Sequence, residues 1–137
     1  MLLDDVGAYL QAQGVGTLQT DLFKGGLPMD SSVAPVHDAI MALIETPGLP
    51  PVHVHNQQQA SYERPSLQIV TRGEPYGYAA ARLRAQAAFD ALDGLANITL
   101  GTTTYLSIQA LQSPFPLPPD QAGRPIIVFN VLVAKSL

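Results

Sequence analysis

The first apolar residues of the chain, Leu2, Leu3, Val6, Tyr9 and Leu10, recur at the three-and-four spacing of a single helix face. Asp4 and Asp5 stand in the first turn, where negative charge complements the helix dipole, and Gly14 is a stop, so a helix is expected over 2–13. The period then changes. Asp21-Leu22-Phe23-Lys24 alternates ahead of Gly25-Gly26, which predicts a short strand closed by a turn. A Ser-, Asp- and Pro-rich loop over 28–35 leads into the apolar run 39–45. That run suits a buried strand or a turn of helix equally by length; we read it as a strand ended by Thr46-Pro47-Gly48.

Residues 47–65 combine Pro47, Pro50, Pro51 and Pro65 with the polar tract Asn56-Gln57-Gln58-Gln59, a composition that predicts an irregular excursion. Leu67, Ile69 and Thr71 alternate with Gln68, Val70 and Arg72, giving a strand that Gly73-Glu74-Pro75 terminates. The clearest helix runs over 76–92: Tyr78, Ala81, Ala85, Ala88, Phe89 and Leu92 form one face and Arg82, Gln86, Asp90 and Asp93 another, with Gly94 as the stop. Its alanine-rich face allows close approach to a sheet. A β-branched strand follows over 98–108, with Gly101 as a point of interruption. Five prolines in 113–125 predict a stiff arm outside the sheet, with Phe115 and Leu117 as apolar anchors for a partner. The closing strand, 126–134, is apolar on nearly both faces, so it is central, or a partner covers its second face and makes Phe129 and Val131 contact residues.

No repeat or linker divides the chain, which predicts one domain over 1–137. The order of elements predicts an α+β fold, a mostly antiparallel sheet of about four strands packed against two main helices, with long proline-rich loops.

Composition narrows the function more than the fold. Charged residues are only 13% of the chain against 47% hydrophobic, so the surface must be poor in charge, which suits subunit contacts. The net charge of −4, without a Lys/Arg cluster, argues against specific nucleic-acid binding. No cysteine is present, so disulfides, thiolate metal sites and cysteine nucleophiles are excluded. No apolar run reaches the length of a membrane span, and aspartates stand where a signal peptide would carry basic residues, so no membrane partner is expected.

Candidate chemistry is sparse. No nearby Asp, Glu or Cys completes a ligand set with His37, His53 and His55, so no metal and no cofactor are expected. Tyr62, Glu63 and Arg64 read as an ion pair at a strand entrance, and no nucleophile elbow or phosphate loop appears. Arg82 and Arg84 either meet an acidic partner or lie on a solvated helix face balanced by Asp90 and Asp93.

Several segments taken together carry a resemblance. They are Leu2-Leu3-Asp4-Asp5-Val6, Leu22-Phe23-Lys24-Gly25-Gly26-Leu27-Pro28, Tyr62-Glu63-Arg64-Pro65-Ser66-Leu67-Gln68 with Arg72-Gly73, Ala79 to Leu95, Thr104 to Phe115, and Phe129-Asn130. With them the chain resembles the minor capsid and tail-terminator (tail completion) family of long-tailed bacteriophages. The resemblance implies a structural virion protein that is not an enzyme. Such a protein forms a ring, typically a hexamer, at the head-proximal end of the tail after assembly in the host cytoplasm. It further implies three partners: other copies of the chain, the tail-tube protein and the head–tail connector. A head-completion or neck protein is the alternative of the same class, and a small ligand-binding or enzymatic α+β domain the alternative of another.

Overall fold

The computed structural model describes residues 2–27, 37–53 and 62–136, and the structural statements below concern these. In chain order the elements are α1 (Leu2–Ala12), β1 (Leu22–Lys24), β2 (Ile40–Val52), β3 (Tyr62–Arg72), α2 (Tyr78–Leu92), β4 (Leu95–Leu100), β5 (Thr103–Ala110), β6 (Phe115–Leu117) and β7 (Ile126–Ser136).

All seven strands join one sheet in the order β1-β2-β3-β7-β5-β4, with β6 also paired to β7. Only β1 and β2 run parallel; every other pairing is antiparallel. β7 is central, flanked by β3 on one side and by β5 and β6 in succession on the other. Its alternation sorts two faces. Phe129, Val131 and Val133 enter the main core with Leu67 and Ile69 of β3, Met41 and Leu43 of β2, and Tyr105 and Ile108 of β5. α1 lays Leu2, Val6 and Leu10 on this core, and α2 lays Ala88 and Leu92 there. Farther along α2, Ala81 and Ala85 pack on Ile127, where small side chains bring helix and sheet together. Phe89 meets Phe129 edge to face with centroids 5.7 Å apart. Burial of each large side chain contributes roughly 1.5–3 kcal/mol, so this layer dominates stability.

The architecture corrects the expected one. Strands take 47% of the described residues and helices 22%, in a curled, mixed seven-stranded half-barrel rather than an α+β sheet of about four strands. Three misreadings account for the difference. Residues 98–108 belong to a hairpin, β4 and β5, that turns at Gly101 with φ of 60°. The arm 113–125 does not leave the sheet, because Phe115–Leu117 pairs with Ile126–Val128. β2 likewise continues through Pro47, Pro50 and Pro51. Proline is tolerated at a sheet edge, and beyond its pairing with β1 at Leu43 that half of β2 has β3 alone beside it among the described residues. Pro65, inside β3, sits where both neighbouring ladders skip a residue. Gly48 makes that irregularity possible: a Cβ there would lie 2.2 Å from the Arg64 carbonyl oxygen. The expected loop over 28–35 and the tract 56–59 lie outside the described residues.

Candidate interaction surface

The residues singled out from sequence separate sharply. Phe129 and Val131 are fully buried in the core, which leaves neither side chain at the surface to meet a partner. Arg84 is also drawn inward. Its Nε donates to the Val15 carbonyl at 3.1 Å and its Nη2 to the Asp21 carbonyl at 2.9 Å, with the Asp21 carboxylate 3.4 Å away. The guanidinium thereby ties α2 to the α1–β1 connection. Burial pushes its pKa down while Asp21 opposes the shift. Arg82 donates to Gln86, which in turn donates to Asp90, a chain along the side of α2. Phe115 and Leu117 remain at the surface, 37% and 42% exposed.

The histidines are not brought together: His37 precedes β2 and His53 follows it, at opposite ends of a 13-residue strand, while His55 lies outside the described residues. Among the described residues no group of three or more His, Cys, Asp or Glu is placed to hold a metal ion. Glu63 pairs with Lys135 at 3.7 Å, and Arg64 donates to the Pro50 carbonyl at 2.9 Å, so the two do not form the ion pair expected between them. All seven Lys and Arg have an intramolecular polar partner; besides those named, Lys24 meets Asp4, Arg72 donates to the carbonyls of His37 and Asp38, and Arg124 meets Asp120 and Asp38. The cations are used to fasten the fold.

What the sequence did not reveal is an apolar platform around Leu117. Residues 118–125 form a tight turn in which the Asp120 carboxylate accepts from the backbone N–H groups of Ala122 and Arg124 and from the Arg124 guanidinium. The Arg124 backbone hydrogen bond, first, holds the Asp120 carboxyl below its usual range. Two backbone bonds, Gly73 N–H to Pro125 and Tyr76 N–H to Gly123, join this turn to the one ahead of α2. On the joined turns Tyr76 takes φ of 60°, a left-handed conformation unusual for a bulky residue, and its side chain is 94% exposed. A cavity of about 290 Å³ opens beneath it, lined by Tyr76, Tyr78, Leu117, Pro119, Pro125 and Ile126. Left-handed backbone at a bulky residue clusters at functional sites, which makes the displayed ring a candidate contact. A second, smaller hollow of about 150 Å³ lies on the helix-free face between Pro47, Leu49, Leu111 and Leu132.

Comparison with known proteins identifies the family. The family model described as bacteriophage tail terminator protein matches residues 9–136. No curated protein matches the sequence. A solved chain from the virion of a native gene transfer agent particle superimposes with a TM-score of 0.67. The alignment covers 99% of this chain and 95% of that one at 17% identity, a likeness of fold.

Proposed function

Since this chain belongs to the bacteriophage tail terminator family, and is thus a structural tail-terminating virion protein, we propose that it forms a homomeric ring, a hexamer. The ring sits at the head-proximal end of the tail after assembly in the host cytoplasm, docks on the last ring of tube protein and offers its other side to the head–tail connector. It acts by occupying a growing end rather than by chemistry, without cofactor or enzymatic step.

The observation that carries this reading is the platform of Phe115, Leu117, Tyr76 and Tyr78. It is apolar and uncharged, and the hydrogen-bonded 118–125 turn braces its Tyr76 side, which lowers the conformational entropy lost when a protein partner covers it. A subunit whose cations are all engaged internally must recognise its neighbours by shape and apolar burial.

Replacing Phe115 and Leu117 together with Ser tests it. The chain is expected to fold, because neither side chain belongs to the main core, and the particles are expected to show overlong tubes or unjoined heads and tails by electron microscopy. Normal infectious particles would defeat the reading.

A further inference from the structure

Beneath α2 the fold buries a polar group that it does not satisfy. Thr71 follows Leu67 and Ile69 on the helix side of β3, where strand alternation puts all three, and it has no accessible surface. Leu67 and Ile69 join the core, but the Thr71 hydroxyl has no hydrogen-bond partner among the described residues. Burying a hydroxyl in this way costs free energy that a valine of the same shape would not. Such a group calls for an explanation, and its surroundings supply one.

Thr71 lines a cavity of about 250 Å³ between the end of β3 and the first two turns of α2. Gly77, Ala80 and Ala81 form the α2 side and Gly73 and Ala39 the sheet side, so small side chains create the room. Two features make the hollow favourable to negative charge. Arg72 and Arg84 line it against one acid, the exposed Glu74, in a chain whose net charge is −4. Both arginines already donate to backbone carbonyls, so they act on the cavity through their charge. Asp21, 3.4 Å from the Arg84 guanidinium, is not among the lining residues. The second feature is the start of α2, a 15-residue helix whose N-cap, Gly77, offers no side-chain cap and whose first turn holds no acid. The positive end of its dipole therefore faces this region without a neutralising group on the helix itself.

We infer that this cavity binds a carboxylate carried on a short aliphatic stem. The carboxylate accepts from the Thr71 hydroxyl and lies in the field of α2 and the two arginines, while the stem packs on Ala80 and Ala81. The glycine and alanine walls suit such a stem better than a larger polyanion. An acidic side chain of a neighbouring protein and a free short-chain acid share this chemistry. The site does not depend on how copies of the chain meet, so it stands or falls apart from the ring.

Butyrate titrated into the full chain, followed by NMR, is expected to shift the amides of Gly73, Gly77 and Ala80 and the Arg84 Nε–H, with a Kd on the order of millimolar. Butylammonium and butan-1-ol should bind about tenfold more weakly, since neither can accept as an anion. Thr71→Val removes only the hydroxyl. The variant should melt no lower than wild type, because no bond within the described fold is lost, and should bind butyrate about five- to tenfold more weakly. Glu74→Gln, at an exposed position, should tighten butyrate binding about two- to threefold by removing a like charge. A Thr71→Val chain that melts several degrees lower with butyrate shifts unchanged would assign the hydroxyl a structural partner and overturn the site. Equal shifts from butan-1-ol would reduce it to an apolar hollow and overturn it as well. Particles assembled with Thr71→Val separate the two sources. A several-fold loss of joined particles from a chain of normal stability assigns the carboxylate to a neighbouring protein; normal particles beside weakened butyrate binding assign it to a free acid.

Discussion

Tyr105 has no accessible surface, and its hydroxyl donates to Asp5 at 2.6 Å, joining β5 to α1 across 100 residues of chain. Burial first, and the Asp5 carboxylate second, raise the phenol above its ordinary pKa. The unfolded chain loses this proton near pH 10 while the folded chain keeps it, so stability is complete below pH 10 and falls as pH rises beyond. Tyr105→Phe should therefore cost about 1–3 kcal/mol at pH 7 and flatten that alkaline loss. Urea denaturation at both pH values reads the two effects, and an unchanged alkaline slope would contradict the assignment. Arg84 shows what sequence cannot display at this scale. Its spacing with Asp90 suits a solvated face, and only the packed α1–β1 connection reveals that the side chain points inward. Arg84→Lys should lose roughly 1–2 kcal/mol despite keeping the charge, because an ammonium cannot reproduce the guanidinium fork and leaves the partly buried Val15 carbonyl without its partner. Thermal denaturation within half a degree of wild type would contradict this.

Both helices and the central strand were legible because each owes its form to periodicity: α1 and α2 to one apolar face, β7 to two. Apart from the β4–β5 hairpin, read as one strand over 98–108, what escaped notice contains proline. Pro116 in β6 and Pro47, Pro50 and Pro51 in β2 argue locally against strands, yet edge position makes them acceptable, and edge position is a property of the assembled sheet. The candidate surface escaped for a related reason. Phe115 and Leu117 were visible as anchors, but Tyr76 and Tyr78 join them only because the turns at 73–77 and 120–125 are hydrogen-bonded together. Gly48 tests the element argument. Its missing Cβ lets β2 pass over Arg64, so Gly48→Ala should destabilise the chain by about 1–3 kcal/mol through overpacking. Hydrogen exchange should quicken in the outer halves of β2 and β3 and not in α2, and uniform quickening would argue against a local origin.

For the whole molecule, a charged fraction of 13% and cations engaged at home imply assembly by apolar burial. The mass of the proposed ring, measured by sedimentation, should therefore persist from low ionic strength to about 1 M salt, where electrostatic contacts are screened to within roughly 3 Å. Dissociation on adding salt would show that ion pairs hold the copies together. The edge of β2 beyond Leu43, which has no second neighbour among the described residues, carries a further meaning at this scale. A tail is a polymer built by repeated addition, and free sheet edges are the commonest places where proteins add to one another without limit. Pro47, Pro50 and Pro51 strip amide donors from the outer half of β2, so a stray strand arriving there finds an incomplete ladder. Unassembled copies of the chain are therefore expected to resist fibre growth through this edge.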